Sequence, residues 1–373
     1  MLTSTTEKKM GRIREAILPI HNEELKKFIP MALIMLCILF NYTILRDTKD
    51  SLIATGAGAG PEAIPYLKSI FVMTTAILFV VLYTKLTNIF SSEKLFYIIV
   101  GTFLLFFVSF AFVIYPNINV LHPKLETVQA LQAEFPRLKF LISVWAVWTY
   151  SLFYVLSELW GSVMVSLLFW QFANEIVRTN EAKRFYPLFI LIGNIALILS
   201  GTVVRKFSNV RDYLHLPPEV DAWGVSLRYL SVGILVSGII AMVLYRWMHK
   251  NVLTDPRYYS AVADKTPKKN KPKLGVFESF KYIFSNPYIG LIALLVLSYG
   301  ASINLVEVIW KKQIALQFHG DPSGYNAFMG GFSRATGIST IVILLLTKGV
   351  IKRFGWFVGA IITPAVLAIS GLI

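Results

Sequence analysis

The stretch FNYTILRDTKDSLI, residues 40–53, places an aromatic ring and two cations on one face of a helix. Tyr42, Arg46 and Lys49 follow one another at i, i+4 and i+7. Arg offers phosphate oxygens a planar fork, and Lys offers them a point charge. This face therefore suits a polyphosphate. The competing interpretation is a cluster at a helix end, in which Arg46 pairs with Asp50 and the long side chains extend to the membrane surface.

Glu158 lies in the middle of another apolar run, with at least 15 uncharged residues on either side. It follows Tyr150 and Tyr154 at i, i+4 and i+8, with Gly161 on the same side. A charge in the hydrocarbon costs at least about 2.5–3.5 kcal/mol, so an acid there usually faces a partner or a wet cavity. We predict that Glu158 contacts substrate, carries a proton or takes part in gating. A structural ion pair is the plainer alternative.

Two later apolar runs carry polar stripes at helical spacing. The first stripe consists of Gly300, Asn304, Glu307 and Lys311. The second stripe consists of Asn326, Gly330, Arg334 and Gly337. The glycines can be explained by close helix packing, whereas Arg334 in a span predicts a partner. We assign Lys68, near the start of its run, to the membrane interface.

These charges lie in a chain that is otherwise apolar. Of its 373 residues, 55% are hydrophobic and only 15% are charged, whereas soluble domains carry about a quarter charged residues. Apolar runs of this length are typical of membrane spans, which must be helical because lipid offers the backbone no other partner. The sequence therefore predicts an all-α polytopic membrane protein. Its nine predicted spans are residues 28–48, 64–84, 95–115, 139–170, 186–204, 228–247, 288–310, 325–347 and 355–373.

The cations of the loops and span ends predict an orientation. Segments expected on the side of the N-terminus hold 23 Lys and Arg residues, and segments expected on the opposite side hold nine. Because Lys and Arg concentrate in cytoplasmic loops, we predict a cytoplasmic N-terminus. This asymmetry also accounts for most of the net charge of +15, which argues against nucleic acid as a partner.

The longest polar stretch, residues 248–287, divides the predicted helices into two sets. Its sequence DKTPKKNKPKLG is typical of a linker. Six helices, a basic linker and a second helical set match a major-facilitator-like layout of two six-helix halves. We predict an N-terminal segment at 1–27, a six-helix half at 28–247, this linker, and the first three helices of the second half at 288–373. On this prediction the chain ends in the ninth of twelve expected helices.

Motifs for metals, cofactors and covalent catalysis do not stand out in the sequence. The lone Cys37 lies in the first predicted span, and the five His residues are not spaced as metal ligands. No Walker loop, nucleophile elbow or dinucleotide glycine pattern occurs in a suitable context. The GAGAG at 56–60 follows no strand, so we interpret it as a loop between the first two helices. We expect no cofactor.

Four motifs resemble one known family. NYTILRDTKDSL, SELWGSVMVSLLFWQFANEI, EAKRFYPLF and SINLVEVIWK are similar to motifs of the ADP/ATP translocases of obligate intracellular bacteria and plastids. The resemblance implies a major-facilitator-like fold of twelve helices in a bacterial inner membrane, and exchange of external ATP for internal ADP plus phosphate. It also implies that transport needs Lys49, Glu158 and Glu307, which match the lysine of RDTKD and the glutamates of ELWGS and NLVEV.

The resulting hypothesis is a monomeric nucleotide transporter, not an enzyme, with ATP and ADP as substrates and phosphate as a further one. The cations of the first helix would attract phosphates, the tyrosines would stack on base or ribose, and the glutamates would bind polar groups or pair with the cations in the empty site. The alternatives are a proton-coupled nucleotide importer and, from another class, a membrane enzyme or lipid-handling protein with a basic headgroup pocket. The candidate binding residues are Lys49, Glu158, Glu307, Arg46, Tyr42, Tyr150, Tyr154, Asn304, Lys311 and Arg334.

Overall fold

The structure is a computed structural model, and it describes residues 19–258 and 285–372. Every regular element within these two ranges is a helix. Eight of the helices are long and apolar enough to cross a membrane. They are α1 (Asn22–Ala54), α2 (Pro61–Leu86), α3 (Ser92–Leu121), α4 (Trp148–Ile176), α5 (Thr179–Ser208), α6 (Ala222–Asn251), α7 (Pro287–Gln317) and α8 (Pro322–Leu346).

These eight helices coincide with the first eight predicted runs, with one clear difference in α4. The sequence predicts one helix from residue 139, but the backbone leaves the helical conformation at Val147, and the span begins at Trp148. Neither Gly nor Pro occurs at this break, so the apolar pattern contains no sign of it. The predicted loop at 56–60 is confirmed, and Gly58 takes a left-handed φ of 78° there.

The ninth predicted run and the predicted linker are described less fully. The helix that begins with α8 continues to Leu372, interrupted at Gly355 by a φ of 81°. The run that follows Gly355 is not among the eight candidate spans of the described residues. Most of the predicted linker, residues 259–284, lies outside the described residues.

Helix α1 is the most buried of the eight. Within the most apolar stretch of each helix, 67% of the residues are buried in α1, whereas none are buried in α7. It packs against α4, α5, α6 and α8. Because lipid tails are as apolar as a leucine side chain, burial of apolar surface gives helices little reason to associate in a membrane. Polar contacts and close packing must therefore contribute to holding α1 in place.

Close packing is clearest between α5 and α8, and it involves Gly330 and Gly337 of the second polar stripe. A Cβ atom on Gly201 would lie 2.5 Å from the carbonyl oxygen of Gly330, and one on Gly337 would lie 2.9 Å from that of Asn194. Backbones this close exclude any side chain, which is the arrangement small residues permit in membrane helices. Near the same contact, Asn326 Nδ2 donates a hydrogen bond of 2.9 Å to Ser208 Oγ.

The start of α1 is held by a group we call the Lys27 cluster, consisting of Lys27, Glu181 and the backbone oxygen of Tyr258. Lys27 Nζ lies 2.7 Å from Glu181 Oε2 and 3.1 Å from the oxygen of Tyr258. Arg184 pairs with Glu24 beside it. The starts of α1 and α5 and the segment after α6 therefore meet at one end of the helices.

Candidate functional site

The charged end of α1 is buried rather than exposed at an interface. The helix continues through the charges to Ala54, and Asp47, Lys49 and Asp50 are at most 2% exposed. Transferring a charge out of water costs several kcal/mol even after relaxation, so each of these groups needs partners. The partners come from α1 itself and from α4, α7 and α8.

Asp50 lies at the centre of these contacts, between two lysines. Its Oδ1 is 2.8 Å from Lys49 Nζ, and its Oδ2 is 2.7 Å from Lys311 Nζ. Each lysine also contacts a second acid: Lys49 Nζ lies 3.0 Å from Glu158 Oε1, and Lys311 Nζ lies 2.6 Å from Glu307 Oε1. Each cation is therefore shared by two carboxylates.

The series extends by one more cation. Lys68 Nζ lies 2.7 Å from Glu307 Oε2, whose other oxygen contacts Lys311. Three lysines and three carboxylates thus alternate, and their charges sum to zero. We call this series the charge network; in order, its members are Glu158, Lys49, Asp50, Lys311, Glu307 and Lys68.

The charge network joins helices from both sides of the 248–287 stretch. Its members on α1, α2 and α4 precede this stretch, and its members on α7 follow it. A second link lies alongside, between α1 and α8. Arg46 Nη2 donates a hydrogen bond of 2.8 Å to Ser333 Oγ, which donates one of 2.7 Å to Asp47 Oδ2. Both helical sets are therefore connected by charged and polar contacts at the same end of α1.

Arg46 pairs with its neighbour Asp47 rather than with Asp50. Its Nε lies 3.2 Å from Asp47 Oδ1, so the Arg46–Asp50 pair of the competing interpretation does not form. The reason is that both oxygens of Asp50 already contact lysines.

Two of the three candidate tyrosines lie beside the charge network. The ring centroid of Tyr154 is 3.9 Å from Lys49 Nζ, a favourable cation–π distance. Tyr42 lies against α4 at Gly161, where an added Cβ would be 2.5 Å from Tyr42 Cε2. Tyr150 packs instead against His122, with ring centroids 4.9 Å apart. The first two rings therefore form one wall of the site.

The backbone of α4 changes character directly after Glu158. From Gly161 to Phe169 it forms a π-helix, with hydrogen bonds from i to i+5. Such wide turns are rare and frequently occur at functional sites. The missing side chain at Gly161 leaves room for the ring of Tyr42 at the first residue of this segment.

Two further cations differ in their contacts. Lys68, which the sequence assigns to the interface, pairs with Glu307 across 239 positions of the chain. Arg334, for which the sequence predicts a partner, forms no ion pair with any described residue. Its backbone lies against α5, since a Cβ on Gly201 would lie 2.7 Å from Arg334 N. The exposed side chain lines a cavity of about 670 Å³ together with Arg205.

Asn304 lies at the edge of the site. Its Nδ2 donates a hydrogen bond of 2.7 Å to Gly300 O, and its Oδ1 is 3.5 Å from Lys68 Nζ.

Sequence reasoning did not select Asp50, Asp47, Ser333 or Lys68 as site residues. The acids could have been found from their position beside buried cations, whereas nothing in the sequence pattern points to Ser333. Among the described residues, no group of His, Cys, Asp and Glu is arranged to hold a metal ion.

Fold and site together define a class: a polytopic helical membrane protein whose two sets of helices are joined by shared, buried ion pairs. The family described as TLC ATP/ADP transporter matches residues 3–373, and the chain belongs to this family. No solved structure matches the chain.

Relatives of the chain are found in bacteria and in plastids. It is 48% identical over 375 residues to "ADP,ATP carrier protein 1" of Chlamydia muridarum. This match covers 100% of this chain and 70% of the relative. It is 40% identical over 372 residues to the protein of the same name from Rickettsia bellii, covering 100% of this chain and 73% of the relative. For "ADP,ATP carrier protein 1, chloroplastic" of Arabidopsis thaliana the identity is 47% over 348 residues, covering 93% and 54%.

Proposed function

We propose that the chain exchanges ATP for ADP across a membrane by alternating access, with phosphate accompanying ADP. The family and the names of the relatives support exchange of these nucleotides. The observation that carries the proposal is the charge network, in which buried lysines from both helical sets are shared between carboxylates. Lysines held in this way suit polyphosphate, whose oxygens can take the place of carboxylates.

In this proposal the empty site is neutralised by its own acids. An arriving nucleotide brings its phosphates to Lys49 and Arg46, and Glu158 and Glu307 release the cations and bind polar groups of base or ribose. The rings of Tyr42 and Tyr154 stack on the base. Empty and loaded carriers then differ in the contacts that hold the two helical sets together, which is the energetic difference that obligatory exchange needs.

We further propose two six-helix halves, with the first at 28–247, in a monomer of a bacterial inner membrane. The N-terminus would lie in the cytoplasm with the linker. The Lys27 cluster supports the grouping of these segments on one side, since it brings together the starts of α1 and α5 and the segment after α6. Twelve helices in total would complete the major-facilitator-like layout.

This topology can be tested by cysteine labelling. Cys37 is the only cysteine of the sequence and is 6% exposed, so background labelling is low. A reporter introduced by Lys268→Cys should not react with an impermeant reagent added outside intact cells, and should react after permeabilisation. Strong labelling from outside would overturn the predicted orientation.

The exchange itself can be tested by flux of labelled ATP into proteoliposomes. Uptake should require internal ADP and should be unchanged by a protonophore. Uptake that needs no internal nucleotide and collapses with the protonophore would replace the exchanger by a proton-coupled importer. No uptake under either condition would contradict nucleotide transport and favour an enzymatic or lipid-handling role.

A further inference from the structure

We propose that Lys49 and Lys311 form a phosphate subsite shared by the two helical sets, and that Asp50 holds the place of the phosphate when the subsite is empty. The inference deepens the proposed function and rests on it. It assigns to Asp50 a positioning role: this carboxylate keeps the two lysines together without substrate, and a nucleotide phosphate replaces it during exchange.

The geometry around Asp50 matches what a bridging phosphate would need. One carboxylate oxygen contacts Lys49 at 2.8 Å and the other contacts Lys311 at 2.7 Å. All three residues are at most 2% exposed. A phosphate group also presents two oxygens to two cations, and it carries more negative charge than a carboxylate. It can therefore make the same bridge and compete with Asp50 for both lysines.

The remaining contacts of the two lysines leave a route for such competition. The second acid on Lys49 is Glu158, whose side chain is 23% exposed, and the second acid on Lys311 is Glu307, whose side chain is 27% exposed. A nucleotide can thus meet the lysines where these glutamates contact them, without first entering the dry space around Asp50. Release of Asp50 follows as the phosphate takes over the bridge.

This arrangement explains how an empty carrier is prevented from changing its access. Asp50 and Lys49 belong to α1, and Lys311 belongs to α7. Separating α1 from α7 in the empty state would break the Asp50–Lys311 pair and leave each of these two buried groups with one partner instead of two, which is unfavourable. A bound phosphate neutralises the lysines in place of Asp50. The direct contact between Asp50 of α1 and Lys311 of α7 is then no longer needed to neutralise the charge of Lys311.

The variant Asp50→Asn tests the subsite because it keeps the shape and removes the charge. If a phosphate competes with Asp50, the Kd of ADP and of inorganic tripolyphosphate should fall by about tenfold, since one repelling charge is lost. A purely structural role predicts the opposite sign, weaker binding. Asp50→Glu, which keeps the negative charge, should bind both ligands with the affinity of the wild-type protein. Glu62→Gln is the matched control: its partner Lys312 also lies on α7, at 2.8 Å, but both are solvent-exposed enough to leave binding unchanged.

Coupling gives a second readout. In proteoliposomes, the ratio of ATP uptake without internal ADP to uptake with internal ADP should rise at least about fivefold in Asp50→Asn, because empty carriers then change access more easily. An unchanged ratio, or weaker tripolyphosphate binding, would overturn the inference. If the wild-type protein itself failed to exchange nucleotides, the proposed function would fail, while tripolyphosphate titration would still test the subsite.

A neighbouring pair of lysines tests the same subsite if Asp50→Asn does not yield folded protein, as judged by size-exclusion elution. Lys311→Gln should weaken tripolyphosphate binding by about tenfold, since it removes one of the two bridging cations. Lys312→Gln, one position along α7, should leave binding unchanged. Equal effects of the two variants would contradict the assignment of Lys311.

Discussion

The two ends of α1 carry buried lysines in very different settings. At the start, Lys27 contacts one carboxylate and one backbone oxygen, and Glu181 also accepts a hydrogen bond of 2.9 Å from Arg178 N. None of these groups belongs to α7 or α8, the described spans that follow the 248–287 stretch. At the other end, Lys49 is shared by two carboxylates, and Asp50 connects it to a lysine of α7.

The difference lies in whether the partners of a charge must separate. Contacts within one helical set can stay intact throughout a transport cycle, so the Lys27 cluster is suited to stability. Contacts between two sets must break when access changes, and shared cations make this possible because an incoming anion can replace one carboxylate at a time. The same pair chemistry therefore predicts loss of stability at one end and loss of function at the other.

The largest expected effect is on stability, at the Lys27 cluster. Lys27→Met leaves the carboxylate of Glu181 buried without its cation, which should lower the free energy of unfolding by about 3–5 kcal/mol. Thermal unfolding of the purified protein would measure it, and the double variant Lys27→Met/Glu181→Gln should recover part of the loss. A normal melting temperature for the single variant would contradict this prediction. So would a change, in the folded protein, in the ratio of ATP uptake without internal ADP to uptake with internal ADP.

The next largest effect is on binding, in the charge network. Lys49→Gln should weaken ADP binding by about a hundredfold, because it removes a cation that is fully buried between two carboxylates. Lys68→Gln should cost only about tenfold, since Lys68 contacts a single acid and its side chain is 29% exposed. Calorimetric titration of both variants would compare them. Equal or reversed losses would count against the order of importance within the network.

A variant of Glu158 can distinguish nucleotide exchange from proton-coupled transport. It contacts Lys49 from α4, and its side chain is 23% exposed. If it balances cations and contacts substrate, Glu158→Gln should reduce ATP uptake against internal ADP by about tenfold, whether or not a pH gradient is present. Loss of gradient-driven accumulation with exchange left intact would instead identify Glu158 as the site of a coupling proton.

The smallest effect concerns the aromatic wall. A methyl group in Gly161→Ala would have to displace the Tyr42 ring, since its Cβ would lie 2.5 Å from Cε2. The ring is the far end of a side chain that can shift, so we expect only a few-fold loss of ADP affinity, on the order of 1 kcal/mol. Gly233→Ala in α6 is the control, because nothing lies within 4 Å of its added Cβ. Similar losses in both variants would argue against a role for Tyr42.

Much of the fold could be predicted from the sequence because lipid leaves a spanning backbone only one solution. Apolar runs of sufficient length must be helical, and the eight described spans confirm this. The break at Val147 and the π-helix from Gly161 could not be predicted. Both depend on how α4 packs against its neighbours, which no local pattern encodes.

The candidate site was accessible to sequence reasoning only in part. Unpaired charges in apolar runs identify Lys49, Glu158 and Glu307 as unusual, since a charge in a membrane needs a reason. The ion-pair partners of these charges could not be predicted from the sequence. Lys68 and Glu307 are 239 positions apart, and Asp50 looks like a surface partner of its sequence neighbours until α7 is placed beside it. Pairing across the helical sets is a property of the tertiary structure.

The zero net charge of the network has an electrical consequence. Moving one elementary charge across a potential of 100 mV involves about 2.3 kcal/mol. The four members on α1, α2 and α4 sum to zero charge, and so do the two members on α7, so neither helical set carries net charge from the network through the membrane field. The voltage would therefore do no net work on these side chains, and it would act on the transport cycle through the charge of the cargo.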